Sequence, residues 1–318
     1  DIKFKSKTAS FKISLSFICE PDQVFFSLFL QPIVEFMRIS YWLRSLLVVA
    51  LLFLQSSLMA GKVDTLSLYS PAMKKDMKFI VVQPVTKAPE KGFPVLYLLH
   101  GMGGSYNLWI TKVPELQAAA DRYNCLIVCP DGGRTTLYFN NPLDSSYRFE
   151  SHFIRELIPY IDKKYPTAKD RRFRAVAGLS MGGFGALFMA SHYPELFAAA
   201  GSMSGALMVD PIAKSIIARA GDKSVDTSCC QINWDKLKEF NAGDTTLKET
   251  IALTLECGTD DYLLMANRSA NRRLTEMKIA HDYTERPGRH NWEYWQNAID
   301  YQLLFFRKRW DKFSQQDQ

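Results

Sequence analysis

The stretch Phe173-Arg-Ala-Val-Ala-Gly-Leu-Ser-Met-Gly-Gly-Phe-Gly-Ala-Leu-Phe-Met-Ala190 carries the pattern around which the rest of the chain can be organised. Phe173–Ala177 is a short, mostly apolar run that reads as a strand, and Gly183–His192 reads as a helix. Between them, Gly178-Leu-Ser-Met-Gly182 matches G-x-S-x-G. The five-residue pattern arises by chance in roughly one sequence in twenty of this length, so its weight comes from its setting. A sharp strand-to-helix turn needs residues without a Cβ on both sides of the serine, and it lifts the Ser180 Oγ above the sheet at a helix N-terminus.

Outward from this turn, apolar runs alternate with helical patterns. Strands are expected at Val63–Ser70, Met77–Val82, Phe93–Leu99, Leu126–Cys129, Phe173–Ala177, Ala198–Ser202, Ile251–Glu256 and Ala280–Thr284. Helices are expected at Val113–Tyr123, Phe149–Lys164, Gly183–His192, Tyr262–Lys278 and Asn297–Arg309. Fully apolar strands separated by helices imply an α/β protein with a mainly parallel sheet covered on both faces. No helix separates the first two strands, so they are expected to pair antiparallel at one edge. Gly205–Thr250 breaks the rhythm with short helical pieces (Pro211–Ala220, Trp234–Phe240) and polar loop, a length typical of a lid or substrate wall.

The first 60 residues differ from the remainder. Arg38 and Arg44 precede an unbroken apolar run, Leu46–Leu54, and a segment of small residues ending at Ala60. That layout reads as a secretory signal peptide over residues 37–60, with cleavage after Ala60; nine apolar residues are too few to span a bilayer, and an uncleaved membrane anchor over Tyr41–Met59, which tolerates Arg44, is the alternative. Residues 1–36 lack periodicity and read as a disordered or non-native leader. The functional domain is then 61–318, exported to the periplasm or outside the cell. It carries 33 basic and 29 acidic residues over 258 positions, a net +4 against +6 for the 318-residue chain. So mild a balance, with no dense Lys/Arg block, argues against nucleic acid as a partner. Cys125 and Cys129 lie four apart on an expected strand, too far to bridge, and no cysteine spacing fits a zinc site. Neither a metal nor an organic cofactor is implied.

A serine hydroxyl needs a base to take its proton, and the base needs a third group to orient it. Beyond the long excursion stand two histidines. His281 opens an expected strand, whereas His290 sits in the turn-rich Pro287-Gly-Arg-His-Asn-Trp292, the kind of loop that carries a base at the carboxyl edge of a sheet. After the strand Ile251–Glu256, Cys257-Gly-Thr-Asp-Asp-Tyr262 offers Asp260 and Asp261, and spacing does not choose between them. One is expected to face the histidine and the other to cap the following helix. An oxyanion hole would draw one N–H from Met181 and another from the loop His100-Gly-Met-Gly-Gly104.

Four segments together, His100-Gly-Met-Gly-Gly-Ser-Tyr-Asn-Leu-Trp109, Gly178-Leu-Ser-Met-Gly-Gly-Phe-Gly-Ala186, Cys257-Gly-Thr-Asp-Asp261 and Pro287-Gly-Arg-His-Asn-Trp-Glu-Tyr-Trp295, resemble the esterase D family of α/β-hydrolases. That family includes feruloyl and acetyl-xylan esterases, S-formylglutathione hydrolases and the mycolyltransferase antigens. The resemblance spans nearly all of Val63–Phe313. It implies an α/β-hydrolase fold, Asp261 as the acid, and the Met102 N–H as the second oxyanion donor. It also implies a serine carboxylesterase acting through an acyl-enzyme, with Ser180, Asp261 and His290 as its triad. Loop aromatics Trp109, Tyr138 and Phe139 are expected to line a substrate pocket, while Trp292 and Trp295 are expected to pack the loops. Export favours a small-molecule or polysaccharide ester, such as a feruloyl or acetyl ester, over formylglutathione. An acyltransferase, a thioesterase and a non-catalytic binding protein on the same scaffold stand as the alternatives.

Overall fold

In the computed structural model, successive residues of each central strand enter two different cores. In β3 (Val95–Leu99), Val95, Tyr97 and Leu99 pack on one side and Leu96 and Leu98 on the other; in β4 (Leu126–Pro130), Leu126 and Val128 oppose Ile127 and Cys129. Because both residue sets are apolar, both faces of the sheet must be covered. The structure describes residues 61–142, 144, 146–207, 230–242 and 250–316. The expected leader 1–36, the expected signal peptide 37–60 and the expected helix Pro211–Ala220 lie outside them. The described residues belong to one compact unit, Ala60–Gln318.

The remaining strands are β1 (Lys62–Ser70), β2 (Lys75–Gln83), β5 (Arg174–Leu179), β6 (Ala199–Met203), β7 (Ala252–Gly258) and β8 (His281–Arg286). The sheet order is β1-β2-β4-β3-β5-β6-β7-β8. β1 and β2 pair antiparallel at one edge, β2 meets β4 antiparallel, and every other pair is parallel. From β3 the chain turns one way to β4, and from β5 the other way to β6. The adjacent ends of β3 and β5 therefore form the switch point at which open α/β sheets leave a crevice.

Helices α1 (Leu108–Lys112) and α2 (Leu116–Tyr123) are separated at Pro114, which excludes helical backbone at Val113; the sequence pattern had implied one helix from Val113. Helix α3 (Phe149–His152) continues through a π-helical turn (Phe153–Leu157) into α4 (Ile158–Lys164). Then follow α5 (Met181–His192), α6 (Trp234–Ala242), α7 (Leu264–Glu276) and α8 (Trp292–Gln316). Helix α8 starts five residues earlier than its periodicity suggests. The Asn291 side chain accepts the Tyr294 N–H at 3.1 Å, an N-cap that starts the helix immediately behind His290.

Cys125, Cys129 and Cys257 are buried thiols without a bridge. Burial pushes the Cys125 thiol up to about 12. One buried charge is structural. Glu256 of β7 ion-pairs with Arg286 of β8, accepts a hydrogen bond from Gln302 Nε2 of α8 at 2.6 Å, and is almost fully enclosed. The Arg286 guanidinium lies 4.0 Å from the Tyr301 ring centroid, a cation–π contact. Removing one member of such a pair strands the other charge. Glu256→Ala should therefore lower stability by about 3 kcal/mol or more in urea unfolding. Arg268→Ala, which breaks a solvent-exposed pair with Glu285, should cost much less than Glu256→Ala in the same assay.

Candidate active site

Ser180 joins the end of β5 to the first residue of α5, with φ 53° and ψ −115°. This left-handed backbone is unfavourable for a residue with a Cβ and persists only when its surroundings fix it. The surroundings are visible. The Ser180 N–H donates to Met203 O at 2.9 Å, and Ser180 O accepts from Phe184 N and Ala206 N at 3.1 and 3.0 Å. A Cβ on Gly182 would lie 2.4 Å from Leu99 O, and one on Gly178 would lie 2.5 Å from the Gly182 carbonyl. The paired glycines thus let the turn close onto β3.

His290 reaches the serine from the loop after β8. Its Nε2 is 2.9 Å from Ser180 Oγ, and its Nδ1 is 3.0 and 2.9 Å from the two carboxylate oxygens of Asp261. The loops bearing Asp261 and His290 are zipped together beyond the strands: Thr259 N–H donates to Arg286 O and Asp260 N–H to Gly288 O, both at 2.9 Å. This continues the parallel pairing of β7 with β8 and brings Asp261 to His290. With Nδ1–H donating to the carboxylate, Nε2 is left as the acceptor for the serine proton.

Between the two adjacent aspartates the geometry is decisive. Asp261 faces His290 and also accepts the Leu263 N–H at 2.8 Å, a bond within the turn before the helix; the helix itself begins at Leu264 without a side-chain cap, so the expected capping carboxylate is not found. Asp260 is exposed and caps nothing. Burial alone would raise the Asp261 carboxyl. Hydrogen bonds from His290, the Leu263 amide and the Ser204 hydroxyl overcome that and hold it below the usual carboxylate range.

Ser204 was not legible in the sequence. It is fully buried just after β6, accepts the Trp295 Nε1–H at 3.2 Å and donates to Asp261. A serine directly after an alanine-rich strand carries no pattern that marks such a role.

On the other side of Ser180, the loop after β3 is held from below by His100. Its Nε2 accepts the Gly132 N–H at 2.9 Å, which makes Nδ1 the protonated nitrogen, donating to Gly101 O at 2.8 Å. His100 is therefore a neutral brace. Gly103 N–H goes to Arg134 O and Gly104 N–H to Gly101 O. The Met102 N–H has no acceptor among the described residues. The Met181 N–H, at the first position of α5, has no helical carbonyl to reach. Two amides at the ends of β3 and β5 are thus available to an oxygen bound beside Ser180.

The expected pocket wall needs correction. Trp109, Tyr138 and Phe139 are 0, 2 and 1% exposed and pack inward. Trp109 donates to Leu99 O at 3.0 Å and meets Trp292 edge-on, which meets Trp295, which meets His290, with centroid separations of 5.3, 5.4 and 4.8 Å. The tryptophan series braces the histidine loop against the β3 loop. Tyr138 donates to His100 O at 3.1 Å and lies over Gly132 and Gly185. His281 is bonded to Ile279 O and Asn271 Oδ1 and is structural, as its strand position implied.

The esterase family model matches residues 70–306. An acetyl esterase from Caldicellulosiruptor saccharolyticus is 28% identical over 261 residues, covering 74% of this chain and 94% of that protein. An endo-1,4-beta-xylanase/feruloyl esterase from Xylanibacter ruminicola is 32% identical over 176 residues, which cover 51% of this chain and 23% of that protein. Among solved structures, a ferulic acid esterase superposes with a TM-score of 0.65 at 27% identity, covering 79% of this chain and 99% of that one. The fold is that of the α/β-hydrolase esterases.

The depressed Asp261 carboxyl gives a signed pH expectation. A group whose folded-state pKa lies below its unfolded value stabilises the fold above the unfolded pKa, and that stabilisation is lost as pH falls through the folded value. Asp261→Asn should therefore be less stable than wild type at neutral pH, with the gap narrowing below about pH 4. Thermal unfolding of both proteins across that range checks this.

Proposed function

We propose, on the premise that the chain belongs to the esterase family and is a carboxylic ester hydrolase, that Ser180 is its nucleophile, His290 its general base and Asp261 the residue that orients the base. The observation that carries this reading is the unbroken hydrogen-bond chain from Ser180 Oγ through both imidazole nitrogens to a buried carboxylate. Ser180 Oγ attacks the ester carbonyl carbon as its proton passes to His290 Nε2. The Met102 and Met181 amides receive the negative charge on the carbonyl oxygen, each contributing on the order of 10²–10³ in rate. Collapse of this intermediate breaks the bond to the alcohol oxygen, which takes the proton from His290 and leaves. Water, deprotonated by the same histidine, then attacks the acyl-enzyme and releases the acid.

The chemistry is self-contained in these residues. The printed names of the relatives, acetyl esterase and feruloyl esterase, support a small or aromatic acyl ester as the substrate, of the kind borne by polysaccharides.

We further infer export, with cleavage of the segment 37–60 after Ala60. Among the described residues no helix is long and apolar enough to cross a membrane. Gly61, the residue after the expected cut, donates its N–H to Asp121 Oδ2 at 3.1 Å, and this carboxylate would pair with the ammonium of a chain beginning there. Expression of residues 37–318 in a secreting bacterium should yield a mature protein whose mass begins at Gly61; retention of residues 37–60 would contradict export by this route.

The activity is tested with acetyl, feruloyl and simple alkyl esters. Ser180→Ala should lower hydrolysis by at least about 10⁴-fold while circular dichroism and unfolding temperature stay close to wild type. Turnover retained by that variant would contradict the mechanism. Product analysis with and without a saccharide acceptor separates hydrolysis from acyl transfer.

A further inference from the structure

The loops around Ser180 have used up their buried aromatics, yet one aromatic ring beside the reacting atoms is left in the open. Tyr262 follows Asp261 directly in the turn between β7 and α7, and it is 75% exposed. Its ring centroid lies 4.4 Å from that of the His290 imidazole, at an interplanar angle of 49°. Trp295 meets the same imidazole edge-on at 87°, but it is buried and its Nε1 is committed to Ser204. The Tyr262 hydroxyl has no hydrogen-bond partner among the described residues. Folding alone gives little reason for so exposed a ring to stand against the base.

Its side of the site is determined by the proton's path. The leaving alcohol oxygen must come within about 2.6–3.2 Å of His290 Nε2 to receive its proton. The carbonyl oxygen, in contrast, is directed to the Met102 and Met181 amides. The first carbons of the alcohol therefore lie beside the imidazole, where the open face of Tyr262 stands, and the acyl chain is directed elsewhere. A phenol ring offers an apolar face for ring C–H groups and a hydroxyl for polar substituents at its edge.

We propose that Tyr262 is the specificity-determining residue for the alcohol half of the ester, favouring alcohols that carry a saturated ring, such as a sugar, over small open-chain alcohols. The inference rests on the esterase reading given above and adds which half of the substrate this residue reads.

The experiment holds the acyl group constant and varies the alcohol: methyl acetate, cyclohexyl acetate and the 6-O-acetate of methyl glucopyranoside. All three pass through the same acetyl-enzyme, so alcohol contacts register in kcat/KM and not in deacylation. For Tyr262→Ala, the ratio of kcat/KM for each ring ester to that for methyl acetate should fall about five- to tenfold relative to wild type. Tyr262→Phe should keep the cyclohexyl ratio within about twofold, because the ring face is retained. Tyr262→Leu provides a second truncation of the ring should the alanine variant fold poorly. A decrease only for the glucoside ester in Tyr262→Phe would place the sugar contact on the hydroxyl, within the same proposal. Equal losses for all three esters would assign Tyr262 to alignment of His290 and overturn the proposal, as would an unchanged ratio. If wild type and Ser180→Ala are equally inert toward every ester, the esterase reading fails, and this inference with it.

Discussion

Ser180 is held in a backbone conformation that an L residue adopts only under constraint, and much of the surrounding structure supplies that constraint. The turn can close only because Gly178 and Gly182 allow α5 to touch the end of β3. The Met203 carbonyl at the end of β6 then fixes the serine amide. Strain of this kind costs on the order of 1–3 kcal/mol, which the buried packing of β3, β5, β6 and α5 must offset. In return the Ser180 side chain stands at the end of β5, with the Met181 amide at the first position of α5 beside it. A parallel sheet is what makes this possible: the ends of β3, β5, β6, β7 and β8 lie on one edge, and each ends in a loop that bears on the serine.

The placement of Asp261 and His290 depends on a second constraint, the extension of β7·β8 pairing past the strands. Two backbone hydrogen bonds carry the Asp261 turn and the His290 loop in register, and the Glu256–Arg286 pair anchors both strands just beneath them. The tryptophan series from Trp109 to Trp295 fixes the imidazole from the side, while Ser204 links that series to the carboxylate. Asp261 is thus a buried charge with three donors, which keeps it ionised and keeps the imidazole in one tautomer. The groups around the Ser180–His290–Asp261 chain are buried, and of the two rings in contact with the His290 imidazole only Tyr262 is exposed.

Much of this architecture was legible in the sequence because apolar runs bounded by turn residues mark buried strands. Each of the eight strands lies within a few residues of its expected position, including the antiparallel edge pair. Helix starts were less legible. The first turn of α8 hides behind a Pro-Gly loop, and its signal was a single capping asparagine, Asn291. At the site, Ser180 stood out because glycines flank it on both sides, and His290 because it follows a Pro-Gly turn after the last expected strand. Asp260 and Asp261 could not be separated by spacing, since one position along a turn reverses which way a side chain points. Trp109, Tyr138 and Phe139 were read as a pocket wall because sequence does not say whether a loop aromatic faces inward. All three face inward, and the exposed ring was instead Tyr262, adjacent to the acid and without a periodic neighbour to mark it. Ser204 had no local signal, because its role exists only through partners 57 and 91 residues away in the chain.

The central claim is that Ser180 alone, among the chain's serines, is activated as a nucleophile by His290. The most direct measurement is intact-mass and peptide-mapping spectrometry after brief exposure to an aryl fluorophosphonate, which phosphonylates activated serines with loss of fluoride. The account predicts a single adduct on the peptide containing Ser180, with its rate of formation reduced about a thousandfold in His290→Ala. An adduct on another residue, or labelling of Ser180 at an unchanged rate in that variant, would contradict it.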